Sequence, residues 1–294
     1  MLHGWIILDK PVGLGSTQAV SAVKRMLREA GEPKTRVGHG GTLDQLASGV
    51  LPIALGEATK LAGRMLEATK AYEFTVKFGA ETDTLDAEGE VVATSDVSPT
   101  RSDIEAALPR FTGEIAQVPP VYSALKIGGK RASDRARAGE AVEIKPRTVT
   151  IEALRVLSMN RDEITLAATV SKGTYIRSLA RDIARALGTV GHISYLRRTR
   201  AGPFAIEQAI SLDFLQSAAK ARQLDGAVVP LQAALDDIPA LPVTPEQAQL
   251  LRHGQKLFGF PASPGLCMAT LEGTPVALVE ATADGLRVVR GFNL

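Results

Sequence analysis

Cysteine is almost absent: Cys267 is the only one in 294 residues, which excludes an internal disulfide and a cysteine-ligated metal cluster. The four histidines, His3, His39, His192 and His253, show no ligand spacing, so no structural metal is expected. Aromatics are sparse, with eight Phe, four Tyr and one Trp. Long apolar runs are also missing. The longest stretch without Asp, Glu, Lys or Arg covers 15 residues, 257–271, and Pro261 and Pro264 interrupt it, so it is too short and too broken to cross a bilayer. Near the amino terminus the one apolar run, 5–8, stops at Asp9 and Lys10 without a basic start, so no secretory signal and a cytoplasmic location are expected. With 45% hydrophobic and 22% charged residues, the composition is that of a globular protein rather than a collagen, a coiled coil or a disordered chain. The length suits one large domain, or a large one with a small companion, and is enough to bury a full core.

Net charge is only +2, so the total argues neither for nor against a polyanionic partner, but its distribution is uneven. Residues 1–200 hold 28 Lys and Arg against 23 Asp and Glu, whereas 201–294 hold 6 against 9. The excess concentrates in 126–147, with seven basic and three acidic residues, and in 172–200, with seven and one. Two such segments suit a phosphate-binding surface, and they equally suit solvated helix faces.

Helical spacing of Val20, Val23 and Leu27 predicts an amphipathic helix over 16–30, with Ser16 as its cap and Gly31 as its stop. Alternation over 72–78 predicts a half-buried strand with Tyr72, Phe74, Val76 and Phe78 on one side. Segments 148–157 and 164–170 read as strands joined by the polar turn 160–163, a candidate hairpin. Leu179, Ile183 and Leu187 mark the buried face of a helix over 178–187 that starts directly after Arg177, with Arg181 and Arg185 exposed. Strands and helices interleave without regular βαβ spacing, which predicts an α+β fold with a mixed, largely antiparallel sheet flanked by helices. Pro239, Pro242 and Pro245 suggest a linker, dividing the chain into 1–238 and a small β-rich domain, 239–294.

The most unusual segment is 37–56, VGHGGTLDQLASGVLPIALG. Its glycines can bring backbone close to a ligand, yet it carries neither a Walker phosphate loop nor a dinucleotide fingerprint, so ATP and NAD chemistry lose support. On local sequence, Asp44 reads either as the N-cap of a helix through Ala47 or as a carboxylate nucleophile or base displayed at a helix start.

This segment resembles the catalytic motif of the bacterial tRNA pseudouridine-55 synthases, through its VGH, GTLD and GVLPI runs and the Gly56-Glu57-Ala58-Thr59-Lys60 that follows. The resemblance extends to Leu8-Asp9-Lys10-Pro11, Lys70-Ala71-Tyr72, 118–126, Lys145-Pro146-Arg147, 171–179 and 196–200, about 200 residues in the family's order. Departures are Gly40 and Ser48 near usual threonines, Ser133 at a frequent tyrosine position, and Gln45 in place of the proline after the catalytic aspartate. A proline there would suit a first helical position, so its loss is expected to loosen the loop.

The resemblance implies a pseudouridine synthase fold with a short carboxy-terminal PUA-like RNA-binding domain. It implies isomerisation of the T-loop uridine of tRNA, with Asp44 as nucleophile acting on the sugar or on the base ring. Arg177 would pair with Asp44, and Tyr72 would stack on the flipped base and serve in proton transfer. Leu196 would pack under the base, Tyr175 would line the pocket, His39 would wedge into the vacated place, and Lys10 and Lys60 would support the site. Lys126, Lys130, Arg131, Arg147, Lys172 and Arg197 would contact phosphates of the T arm. No cofactor, metal, membrane or protein partner is implied, and a monomer is expected. The alternative is a tRNA-binding folding chaperone with weak or lost catalysis, and an acid–base enzyme for a small metabolite using Asp44 and Tyr72 is a third.

Overall fold

The apolar run 5–8 lies inside a strand, Gly4–Lys10, in a computed structural model that describes all residues from Met1 to Leu294. Successive strand side chains point to opposite faces, and here both faces are covered. Ile6 and Leu8 pack with Val23, Leu27, Leu179, Ile183 and Leu215 from the helices Ser16–Glu29, Ile176–Ala186 and Leu212–Lys220. Trp5 and Ile7 pack on the other side with Phe204, Leu231 and Phe292. A strand buried on both sides shows no polar alternation, and periodicity alone does not reveal it.

The main sheet has nine strands. Its continuous path runs Gly4–Lys10, Ser48–Leu55, Gly191–Ala201, Lys70–Phe78, Glu163–Val170, Arg147–Met159, Gly113–Gln117, with Val37–His39 and Phe204–Ala205 added beside their neighbours. The expected hairpin is present as Arg147–Met159 against Glu163–Val170. One junction is parallel, where Arg197 and Arg198 sit opposite Ser48 and Gly49, so the sheet is mixed and largely antiparallel as expected. At that junction Gly49 has φ +105°, and a Cβ there would lie 2.2 Å from the carbonyl oxygen of Arg198. Gly49→Ala is therefore expected to lower stability by at least about 2 kcal/mol, from strain plus a clash with backbone, read by denaturant unfolding; a wild-type midpoint would contradict this.

Three local expectations are corrected. Gly15 rather than Ser16 precedes the first helix as its cap, and the Ser16 hydroxyl turns to the 40–47 loop instead. The second helix begins at Ile176, so Arg177 lies within its first turn, and Leu187 is only partly buried. The prolines near 240 are not a free linker. Ala240–Pro242 is an edge strand pairing in parallel with Gly265–Leu271, and Pro245 opens the helix Pro245–Arg252 behind the Thr244 cap. That edge belongs to a second, five-stranded sheet completed by Leu257–Phe258, Thr274–Thr282 and Gly285–Gly291. Met268, Leu278 and Phe292 from this part join the cluster around Trp5, so the carboxy-terminal sheet packs directly on the large one.

Candidate active site

Between the strands Val37–His39 and Ser48–Leu55 the chain makes a loop that carries Asp44. No helix follows Asp44: its carbonyl accepts from Ala47 N–H at 3.1 Å in an isolated turn. The N-cap reading therefore falls, and with it the helical argument about residue 45. The loop is held instead by the segment 10–16. Ser16 Oγ donates to the Leu43 carbonyl and accepts from Leu43 N–H, both at 2.8 Å. The Gln45 carbonyl accepts from Gly13 N–H at 2.8 Å and from Lys10 Nζ at 3.4 Å. Both contacts use the main-chain oxygen, which a proline would also possess, so replacement of proline by Gln45 leaves this anchoring intact.

Arg177 faces the loop from its helix. Its Nη2 lies 2.9 Å from Asp44 Oδ2 and donates to the Tyr122 carbonyl at 2.9 Å. Its Nη1 lies 3.3 Å from Asp86 Oδ2 and donates to the Thr84 carbonyl at 2.8 Å. The guanidinium is buried, and so is Asp86, whereas the Asp44 side chain keeps 42% of its surface accessible. Arg177 thus joins three loops, and Asp44 is the member left open to a ligand. Gln117 supports this end of the helix, accepting from Tyr175 N–H at 2.8 Å and donating to the Tyr175 carbonyl at 3.2 Å, where the helix has no side-chain cap of its own.

Asp44 opens into a cavity of about 300 Å³, at the small end of the range for ligand pockets and suited to one nucleoside-sized group. Tyr72, Leu196, Tyr175, Arg177, Lys70 and Arg198 line it. Strand register brings most of these together: Arg198 sits opposite Tyr72, and Leu196 opposite Phe74 one pleat away. Residues 70–78 of the amino acid sequence thereby supply one wall and 191–201 the next.

Residues 24–176 match the N-terminal domain of the TruB family of pseudouridylate synthases, and 177–236 match the C-terminal domain of tRNA pseudouridylate synthase B. The chain is 62% identical over 292 residues to tRNA pseudouridine synthase B of Zymomonas mobilis, covering 99% of this chain and 96% of that one. The chain belongs to the TruB family. It is also 61% identical to tRNA pseudouridine synthase B of Novosphingobium aromaticivorans, across 100% of this chain and 98% of that one. Among solved structures it is similar, with TM-score 0.75 and 26% identity over 99% of this chain and 86% of the other, to a chain in an H/ACA ribonucleoprotein bound to a substrate RNA containing 2′-deoxyuridine. TruB membership makes it an RNA-directed isomerase converting uridine to pseudouridine, with the α+β fold described above.

Three buried charges around the TruB cavity are not among the residues expected from sequence. Arg198, 1% exposed, donates through Nε to the Val50 carbonyl at 2.7 Å and through its Nη atoms to the carbonyls of Gly41 and Thr42 at 3.2 Å each. Lys70 Nζ donates to the carbonyls of Met65, Leu66 and Ala68 at 2.5–2.9 Å, satisfying the exposed end of the helix Ala62–Glu67. Asp86 pairs with Arg177 as above. Lys70 and Arg198 could have been found, because each stands two residues from a cavity side chain, Tyr72 or Leu196, on the same strand face. Asp86 lies in a loop and carries no such signal.

The expected supporting lysines divide. Lys10 is fully buried, with Nζ donating to the Pro11 and Leu14 carbonyls at 2.9 and 2.7 Å. Burial lowers its pKa to about 8, with the Asp44 charge opposing the shift and Arg198 adding to it. Burial, with Arg198, also lowers Lys70 to about 8. Both remain mainly protonated at neutral pH; Lys70 lines the cavity with Arg177 and Arg198, Lys10 lies behind the Asp44 loop, and Asp44 and Asp86 offset part of this positive charge. Lys60, in contrast, is displaced from the site. It pairs with Glu57 at 2.6 Å and donates to the Gly291 carbonyl at 2.9 Å, while Glu57 accepts from Asn293 N–H, so this group ties the carboxy terminus to the large sheet.

His39 does not line the cavity. It ends the strand Val37–His39 half-buried, its Nδ1 accepting from Gly41 N–H at 3.3 Å, with its pKa lowered by burial and by Arg198. Lys126, Lys130 and Arg131 lie exposed on a two-stranded ribbon, Lys126–Ile127 with Lys130–Arg131, that rises directly from the cavity residues Ala124 and Leu125. The Arg147 guanidinium sits 5.0 Å above the Tyr175 ring. Lys172 pairs with Glu67, and Arg197 pairs with Asp9 at 2.8 Å, so these two are less free than the ribbon.

Proposed function

We propose that the chain isomerises the T-loop uridine of tRNA, position 55, to pseudouridine, as a monomer in the cytoplasm where tRNA is used. The observation that carries this reading is the Asp44–Arg177 pair, 2.9 Å apart at the edge of a nucleoside-sized cavity walled by Tyr72 and Leu196. Uridine and pseudouridine have the same atoms: the N1–C1′ bond breaks, C5–C1′ forms, C5 loses a proton and N1 gains one. Asp44 serves as the nucleophile that carries the separated fragment, oriented by Arg177, which stays paired with Asp86 throughout. Tyr72 stacks on the base and moves the proton, and Leu196 supports the ring from below.

A uridine inside a folded arm must leave its stack first, at a cost of a few kcal/mol. In this reading His39, half-buried at the end of its strand with its pKa lowered by burial, takes the vacated position. The exposed cations of the 126–131 ribbon, together with Arg147, contact the arm's phosphates at the cavity mouth. Residues 1–238 act as the catalytic domain and 239–294 as a short PUA-like RNA-binding domain. Incubation with unmodified tRNA, followed by mapping of pseudouridine, is expected to give product at that uridine alone. RNA binding without product, or product elsewhere, would remove the reading.

A further inference from the structure

A second, larger concavity of about 990 Å³ lies beside the active-site cavity, and its charge is of one sign. Lys24, Arg28, Lys34 and Arg36 line it, with no Asp or Glu among the lining residues. All four are exposed. None takes part in an ion pair, although Arg25 on the same helix pairs with Glu29 at 3.7 Å. Lys24 and Arg28 stand one turn apart on Ser16–Glu29, where like charges repel. The helix end favours Arg28 through its dipole, but Lys34 and Arg36 lie beyond the helix and have no such compensation. Four unpaired cations converging on one groove leave a local field that an anion would relieve.

The groove adjoins the site. Ala62 lines the groove and Leu66, one turn further along the helix Ala62–Glu67, lines the Asp44 cavity. Likewise Gly38 lines the groove and Gly41 the cavity, so His39 and Gly40 form the partition. Three residues of chain span at most about 10 Å, so an RNA strand with one base in the cavity can lay its backbone across the partition. We infer that the groove of Lys24, Arg28, Lys34 and Arg36 binds phosphates of the RNA strand flanking the nucleotide held at Asp44. This rests on the tRNA reading above. It places an RNA contact on the helix Ser16–Glu29, which otherwise looks like scaffold, on the side of the cavity bordered by His39.

The test uses the full chain and unmodified tRNA. Lys24→Ala, Arg28→Ala and Lys34→Ala combined are expected to weaken tRNA binding on the order of tenfold near physiological salt. They should also reduce the slope of log K against log salt by about 2, since three phosphate contacts are lost. A control removing three exposed arginines outside the groove and outside 239–294, Arg101→Ala, Arg110→Ala and Arg161→Ala, takes away the same charge. A wild-type slope in the groove variant, or an equal loss in the control, overturns the inference. Restoring charge with Lys24→Arg and Lys34→Arg should return the affinity, and failure to do so also counts against it. If the unaltered protein makes no pseudouridine in tRNA, the functional reading falls and this inference with it. If it does and the groove variant binds normally, only the groove assignment falls.

Discussion

Asp44→Asn is expected to reduce pseudouridine formation by at least about 10⁴-fold while tRNA affinity stays within about threefold of wild type. The amide has nearly the shape of the carboxylate and its oxygen can still accept from Arg177 Nη2, so the loop should keep its place. Arg177 also retains Asp86 and the carbonyls of Thr84 and Tyr122, so the fold does not depend on the Asp44 charge. Only the nucleophile is lost. Asp44→Glu keeps the charge but moves it by a methylene, and a displacement near 1 Å from productive geometry costs on the order of 100-fold. Single-turnover measurements of both variants with saturating enzyme separate chemistry from binding. Product formed by Asp44→Asn within tenfold of the wild-type rate would exclude Asp44 as nucleophile.

Arg177→Ala should damage fold and catalysis together. Removing the guanidinium leaves the buried Asp86 carboxylate without its cation and the carbonyls of Thr84 and Tyr122 without a donor. Breaking one side of a buried pair costs about 3–5 kcal/mol, so a clear drop in the denaturation midpoint is expected beside loss of activity. Arg177→Lys is the more telling variant. An ammonium keeps the charge but cannot serve Asp44 and Asp86 from two separate nitrogens, so stability should fall less than in the alanine variant while activity drops at least about 100-fold. Stability and activity both retained in the lysine form would show that charge alone matters and that orientation of Asp44 from a forked guanidinium does not.

Much of this molecule is legible residue by residue because its motifs are short and its elements regular. Alternation at 72–78, the polar turn at 160–163 and the 3.6-residue spacing after Ser16 each report which side of an element is buried, and the corresponding strand, hairpin and helix are present. Asp44 and Arg177 stand out through the family motifs that carry them, and their pairing is met in the fold. Lys60 is instructive in the opposite direction: it sits in an equally recognisable motif, yet its ammonium is committed to Glu57 and Gly291.

Local pattern accounts for the elements, their buried faces and the chemical types at the Asp44 loop. It does not account for the parallel junction of Ser48–Leu55 with Gly191–Ala201, for the burial of Asp86 against Arg177, or for the loop around Asp44 being held by Ser16 and Lys10 rather than by a helix. Nor does it bring Lys34 and Arg36 beside Lys24 and Arg28. Periodicity is a property of neighbours along the chain, whereas these contacts join positions up to 149 residues apart, as between Ser48 and Arg197. Their geometry follows from packing the two faces of the sheet at once, and that is a constraint no single segment contains.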